Sequence, residues 1–554
     1  MKILWLDLNC SYAHSSLALP ALHAQVMHRT DVEWAVVRTT PSEPVGVVVD
    51  AIHTHRPDVL AATAWLFTHE HLLHVVSRVK ALMPYVKVIL GGPEFLGDNE
   101  QYMLCHPEVD CVLRGEGEVS FAQWLEVWNK PAEWGSIPGF CFVEKGDDES
   151  AACNKHETYH DGGMARVADF ASLHAPEESP LFTWDKPFVQ LETTRGCFNT
   201  CAFCVSGMGD PIRMLEIDEI RRRLQNIRER GIRDVRVLDR TFNYHAKRAI
   251  ELLHLFAEFH PCMRFHLEIH PALLPHSVRE VLKSMPHGLL HLEAGIQSLR
   301  QEVLDSSLRK GTLEQSLDGL RYLCSLQNLV THADLIAGLP RYTLAQIYED
   351  IHTLAEYRAG EIQLESLKLL PGTLMRRDAV TLGIRYSPLP PYEVLATDVI
   401  SSTELQEARR LSRLLDAYYN TPAWQLLTRS LILDEEDFLH RFLAYLTRHN
   451  YIEQPMSLER RGELLYLFCC EHYPHRVTDA AVAWIEAGMS LKKRPAEGVR
   501  TKHVQPVEGW SVVYGEYNEH LRLCYLPVGD EGAGYWFGYD TTVQCPTPVF
   551  KAYL

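Results

Sequence analysis

The chain has 554 residues, 46% of them hydrophobic and 23% charged, with a formal net charge of -18. This length accommodates three or so domains. No apolar run approaches the ~20 residues that cross a bilayer, and the acidic balance argues against a broad nucleic-acid-coating surface. The basic clusters at Arg221 to Arg223 and Lys492 to Arg494 read as a solvated helix face and a basic linker. The opening run MKILWLDLNCSYAHSS turns polar too early for a secretory signal and reads as a first strand. The expected compartment is therefore the cytoplasm, where the 14 cysteines are reduced thiols or metal ligands.

Residues 1 to about 130 alternate short apolar runs with helical patterns: KILWLDL, VEWAVVRT, DVLAATAWL, VKVILGG and DCVLRGEGE. Buried parallel strands read as near-continuous apolar runs. The expectation is a doubly wound, Rossmann-like α/β domain whose ligand lies beyond the carboxyl ends of the strands. Those ends carry NCSYAHSS, TAWLFTHE, GGPEF and RGEGE, with glycines that let a backbone approach a ligand closely. Residues 131–185 read as an irregular connector. Residues 186–390 hold about six strand–helix units, which suit a partial (βα)6 TIM-type barrel with its chemistry at the strand carboxyl ends. Residues 391–554 read as a mostly helical domain with a β-rich tail.

Cys197, Cys201 and Cys204 follow the strand FVQLETT with the spacing C-x3-C-x2-C. Soft thiolates suit zinc or iron–sulfur clusters. Structural zinc takes four protein ligands, and neither a fourth Cys nor a His lies within ten residues on either side. A cubane cluster with one open iron fits this pattern. Zinc with a distant fourth ligand and simple packing cysteines stand as the alternatives.

The run ETTRGCFNTCAFC, with Phe203 before the third cysteine, resembles the cluster loop of the radical S-adenosylmethionine (SAM) enzymes. The resemblance implies a [4Fe–4S] cluster on the three cysteines, SAM on the open iron, and a 5′-deoxyadenosyl radical that abstracts hydrogen. It also implies that Glu293 and Gln297, in HLEAGIQS, lie near SAM, and that Ile336 and Leu339, in DLIAGLP, lie against its adenine. LDRTFN stands where many members carry Gly-Gly-Glu for the SAM amino group. Asp239, or the backbone of Arg240 and Thr241, is then the substitute. Glu268, at the end of a barrel strand, is a further candidate for SAM or substrate. Arg240 and Tyr244 are candidates for the substrate site.

The α/β domain before this barrel, with GGPEF and RGEGE, resembles the cobalamin-binding subfamily, and SYAHSSLAL, LDRTFN and YYN resemble a branch with an additional C-terminal domain. The cobalamin contacts thus implied are Tyr12, His14, Ser15 and Ser16 after the first strand, and Thr63, Trp65 and Phe67 after the third. Gly91, Gly92, Pro93 and Glu94 follow the fourth strand, and Gly115 and Glu116 the fifth. The cobalt-binding Asp-x-His-x-x-Gly pattern is incomplete around His14, which lacks its orienting Asp. Trp65 or Phe67 is then the group that covers the lower face of the cobalamin.

The cluster Cys469, Cys470, His472 and His475 matches no standard zinc spacing and reads as a helix end. The function implied is a cobalamin-dependent radical SAM enzyme that methylates an unactivated carbon of a small molecule. Its electron donor is of the flavodoxin or ferredoxin kind, and no membrane is involved. Radical rearrangement, oxidative cyclisation, tRNA modification and a cobalamin or iron–sulfur sensor are the alternatives.

Overall fold

The computed structural model describes residues 1–489 except 12, 15, 146–156 and 208–210, and beyond them 502–503, 521–528, 533–540, 542–543 and 545–553. Near-continuous apolar runs build the first sheet. Strand β1 (Lys2–Leu8) leads through α1 (Ala18–Val26) to β2 (Glu33–Thr39) and α2 (Val45–His55). Then come β3 (Val59–Thr63), α3 (His69–Leu82), β4 (Lys87–Gly91), α4 (Glu100–Cys105), β5 (Cys111–Leu113) and α5 (Gly117–Val127). These strands pair in parallel. Alternate residues of β1 enter opposite cores: Leu4, Leu6 and Leu8 on one face, Ile3 and Trp5 on the other. Burial on both faces is why the strand lacks a polar alternation.

Strands β6 (Phe140–Lys145) and β7 (Glu157–Asp161) extend the sheet antiparallel, giving the order β2-β1-β3-β4-β5-β6-β7. Part of the segment expected as an irregular connector thus forms the last two strands of this sheet, with β7 at its edge. The strand order reverses at β1, so the carboxyl ends of β1 and β3 flank a topological switch point.

Strand β8 (Phe188–Leu191) opens the second series. A short antiparallel pair, β9 (Thr194–Arg195) and β10 (Arg213–Met214), flanks the cysteine loop. Then follow α6 (Ile217–Glu229), β11 (Asp234–Val237), α7 (Ala246–Ala257), β12 (Arg264–Ile269), α8 (His276–Ser284), β13 (Leu290–Gln297), α9 (Gln301–Ser306) and α10 (Leu313–Ser325). Strands β8, β11, β12 and β13 are neighbours in parallel register. In chain order the alternation continues with β14 (Val330–Ala337), α11 (Leu344–Glu356), β15 (Glu361–Ser366) and α12 (Leu374–Arg377), then the short strands β16 (Arg385–Tyr386) and β17 (Val394–Ala396). The chain is a mixed α/β protein with six strand–helix units in this second series.

Two compact units divide the chain. The first comprises Met1–Thr331, Ile336–Thr343 and Ser366–Ser402, and the second comprises His332–Leu335, Leu344–Glu365 and Thr403–Leu554. The second is mainly helical, with α13 (Ser402–Leu414), α14 (Pro422–Asp434), α15 (Phe438–Arg448), α16 (Leu458–His472) and α17 (Val477–Glu486). Its tail is an antiparallel sheet of β18 (Lys502–His503), β19 (Leu521–Pro527), β20 (Gly534–Asp540) and β21 (Phe550–Tyr553). Within the expected β-rich tail, the apolar run GWSVVYGEY at 509–517 lies outside the described residues. In the CCEHYPH run, Cys469 is buried in the helical core, and burial pushes its thiol up to about 12. His475 turns to Glu435 at 2.7 Å. Among the described residues no helix is long and apolar enough to cross a membrane.

Gly462 sits mid-helix in α16, where a Cβ would lie 2.3 Å from the ring of the buried Trp424. Gly462→Ala forces that ring to move, and overpacking of this kind costs about 1–3 kcal/mol. The expected result is a lower urea midpoint for loss of helical circular dichroism.

His69 opens α3 beside Phe95 and Tyr102. Burial, aided by His106, lowers its pKa from 6.5 to about 4. The unfolded chain therefore takes up this proton first as pH falls. The stability contributed by neutral His69 is complete above about 6.5 and is lost as pH falls through about 4. His69→Leu is expected to flatten the unfolding free energy against pH across that window.

Candidate active site

The cysteine loop is a series of tight turns. Cys204 donates its N–H to the Cys201 carbonyl at 3.0 Å, and Gly207 donates to the Cys204 carbonyl at 3.1 Å. A Cβ on Gly207 would lie 2.7 Å from the Cys201 oxygen, so the closing position requires glycine. The loop is also pinned from outside. Ala202 N–H donates to Ser307 O and Met375 N–H donates to Ala202 O, each at 2.8 Å. The buried Asn199 carboxamide accepts from Lys310 N–H at 3.0 Å, and Lys310 Nζ reaches Phe198 O at 2.7 Å.

The three thiols feel one another electrostatically. Burial pushes the Cys201 thiol up, and Arg309, with Nη1 3.6 Å from Sγ, opposes this. Cys197 Sγ lies 3.6 Å from Thr241 Oγ1. Three soft donors on one pinned loop, the buried one beside a guanidinium, fit a cluster held by three cysteines.

A buried charge network ties this loop to the first sheet. Arg195 pairs with Glu118 at 2.6 Å, Glu192 at 2.8 Å and Glu116 at 3.7 Å. Arg213 holds Glu116 bidentately at 2.6 and 2.8 Å, and Val167 N–H donates to the same carboxylate at 2.7 Å. Burial alone would raise the Glu116 pKa, but these donors outweigh it and hold the group below its usual range.

A cavity of about 410 Å³ opens beyond the strand ends. Thr63, Trp65, Gly91, Gly92, Pro93, Gly115 and Glu116 line it from the first domain, and Thr194, Gly196, Val205 and Arg240 from the second series. Small side chains (Ala18, Ala21, Ala61 and Ala62) complete much of the wall. Gly92 has φ +111°, and a Cβ there would meet Thr63 Cγ2 at 2.7 Å and Ala64 O at 2.9 Å. The glycine thus lets neighbouring strand ends close up, leaving an open cradle above them. A cavity at the switch point with a mainly apolar wall, glycine turns and a charged rim fits a large planar cofactor.

Several residues expected as cofactor contacts have protein partners or lie outside this cavity. Asp239 was the expected substitute for the SAM amino-group ligand. It is buried, and its carboxylate accepts from Thr193 N–H, Thr194 N–H and Thr193 Oγ1, so it fixes the entry to the cysteine loop. Burial raises its pKa, and the Thr193 bonds oppose the rise. Glu94 does not line the cavity; it accepts the hydroxyl of Tyr392. His14 is exposed, with Nδ1 2.8 Å from Ser11 Oγ and its ring edge-on to Phe188, outside the cavity lining. Ser16 Oγ accepts from Ala18 N–H at 3.1 Å. Phe67 is exposed, with Lys368 Nζ 5.6 Å from its ring. Tyr12 and Ser15 lie outside the described residues.

On the barrel side, β12 and β13 place Glu268 opposite Glu293. Arg240 approaches Glu268 at 3.6 Å, and His266 approaches Glu293 at 2.8 Å. Gln297 ends β13 with φ +70°. Phe203 and Ile336 are half-buried and Leu339 is buried. Thr241 Oγ1 donates to Arg240 O at 2.7 Å. The Tyr244 ring stacks on Phe198 at 5.0 Å, and Phe198 meets His270 edge-on at 5.6 Å. Arg195, Arg213 and Arg309 were missed in the sequence. Only Arg195, two residues before Cys197, had a local signal.

Residues 191–354 match the radical SAM superfamily, residues 12–125 the B12-binding domain, and residues 381–483 a family of unknown function, DUF4080. The chain is 24% identical over 342 residues to the cobalamin-dependent radical SAM methyltransferase TokK of Streptomyces tokunonensis, a match that spans 59% of this chain and 49% of TokK. Among solved structures, the cobalamin-dependent SAM radical enzyme OxsB with aqua-cobalamin and SAM bound superposes with a TM-score of 0.60 at 13% identity, over 87% of this chain and 83% of that one. The methyltransferase TsrM from Kitasatospora setae gives 0.54 at 15% identity, over 70% and 77%. The chain thus joins a segment that matches the B12-binding domain to one that matches the radical SAM superfamily. The DUF4080 match lies C-terminal to the radical SAM match.

Arg195→Met strands buried carboxylates, and breaking such a network costs about 3–5 kcal/mol. The variant is expected to unfold at lower denaturant and to retain less iron. Adding Glu118→Gln should recover part of the loss, as measured by a double-mutant cycle.

Proposed function

We propose that this protein is a cytoplasmic radical SAM C-methyltransferase, with residues 1–130 as the cobalamin domain, 131–185 as a connector whose strands β6 and β7 extend the first sheet, 186–390 as the radical SAM barrel and 391–554 as a C-terminal domain. Its substrate is a small molecule. When bound, SAM supplies both the methyl group, by way of cobalamin, and the radical that takes a hydrogen atom from the substrate carbon. The observation that carries this reading is the shared cavity: residues of the cobalamin-type strand ends and of the cysteine loop line one space.

Each residue then has a defined task. Cys197, Cys201 and Cys204 hold the cluster, and Arg309 neutralises charge at Cys201. Trp65 and the Gly91–Pro93 turn support cobalamin along the cavity wall. Arg240, Glu268, Glu293 and Gln297 face SAM at the strand ends. Phe203, Ile336 and Leu339 supply apolar contact there. The pinned loop fixes the thiols before SAM arrives, so little ordering remains at the moment of reaction. The net charge of -18 favours a small substrate over a nucleic acid. The electron comes from a donor of the flavodoxin or ferredoxin class.

The test is anaerobic reconstitution with iron, sulfide and hydroxocobalamin, then incubation with SAM and reductant. Both 5′-deoxyadenosine and S-adenosylhomocysteine are expected. Cys201→Ala should lose 5′-deoxyadenosine. Formation of 5′-deoxyadenosine alone, with cobalamin bound, points instead to rearrangement or redox chemistry. Failure to bind cobalamin sinks the assignment.

A further inference from the structure

The turn after β4 is held by a segment far away in sequence. Leu96 and Gly97 lie against Pro371 and Gly372 so closely that side chains are barred. A Cβ on Gly97 would be 2.9 Å from Gly372 N, and one on Gly372, at φ +81°, would be 2.7 Å from Leu96 O. Just before this contact, the buried Glu94 carboxylate accepts the hydroxyl of Tyr392, 298 positions later. The Arg376 guanidinium covers the Tyr392 ring at 4.3 Å and donates to Leu369 O at 3.1 Å. The residue beside it, Met375, donates its N–H to Ala202 O at 2.8 Å, between Cys201 and Cys204.

The short helix α12 and its flanks therefore touch both loops. On one side is the turn whose Gly92 and Pro93 line the cavity. On the other is the loop that carries the thiols. None of Glu94, Tyr392 and Arg376 lines the cavity itself.

We propose that Glu94, Tyr392 and Arg376 are positioning residues that fix the cobalamin-side loop against the cysteine loop and so hold the two cofactors at one separation. This rests on the functional reading above. Contacts this specific are needed because a misplacement of about 1 Å at a reacting pair can cost on the order of a hundredfold in rate.

The test is pulsed electron paramagnetic resonance of reconstituted full-length protein, reading the dipolar interaction between cob(II)alamin and the reduced cluster. Wild type should give a narrow distance distribution. Tyr392→Phe and Glu94→Ala should keep iron and cobalamin but broaden the distribution. S-adenosylhomocysteine formed per bound cobalamin should fall about tenfold. Glu94→Gln, which still accepts the tyrosine hydroxyl, should retain the narrow distribution. Where Tyr392→Phe does not accumulate as folded protein, Glu94→Asp, one methylene shorter, is expected to shift the distribution. Unchanged distributions in Tyr392→Phe and Glu94→Ala, or in Glu94→Asp where it stands in, overturn the bridge alone. A wild type that binds no cobalamin overturns the functional reading and the bridge with it.

Discussion

The site depends on one buried guanidinium. Arg195 stands two residues before Cys197 and meets carboxylates from two parts of the fold: Glu116 and Glu118 at the start of α5, and Glu192 beyond β8. Withdrawing these charged groups largely from water is expensive, and such networks add little net stability. What they add is geometry. Arg213 and Glu116 are locked by parallel bonds, and the Val167 amide takes up part of the remaining negative charge. The strand ends of the first sheet and the root of the cysteine loop then have one relative placement.

The charged groups Glu116, Glu118, Glu192, Arg195 and Arg213 also line the cavity, and glycines and alanines make up much of the rest of its wall. Glycine at positions 91, 92, 115 and 196 and alanine at 18, 21, 61 and 62 leave room that larger side chains would fill. The polar residues of the motif-like loops do scaffold work. Asp239 gathers the Thr193 and Thr194 amides. Asn243 bonds reciprocally with the His270 backbone, at 2.9 and 2.8 Å. Within the LDRTFN run, Asp239 and Asn243 thus shape the loops, while Leu238 and Arg240 line the cavity.

The legible parts of the sequence were those with local causes. Strands β1 to β5 announced themselves because burial on both faces leaves near-continuous apolar runs. The cysteine loop was legible because a cluster needs its thiols within one turn. Strands β6 and β7 were not, because an acidic run separates them and β7, with Tyr159 and His160 facing different surroundings, carries no apolar stretch. Arg309 and Tyr392 had no local signal at all. Their partners Cys201 and Glu94 lie 108 and 298 positions away, and only the folded chain brings them together. His14 was chosen by analogy with a pattern whose Asp and Gly are missing here, and the ring lies outside the cavity lining.

Exposure differs among the carboxylates of the site. Glu118 has a side chain 8% exposed and Arg195 13%, so breaking that pair leaves charge in a poorly solvated place. Glu268 and Glu293 face each other across neighbouring strands with side chains 32% and 33% exposed. Their ion pairs with Arg240 and His266 sit in a wetter setting, where such pairs are worth roughly 0–1 kcal/mol. Buried carboxylates fix architecture because breaking their pairs leaves charge poorly solvated, whereas a carboxylate in a wetter setting loses less when its pair breaks.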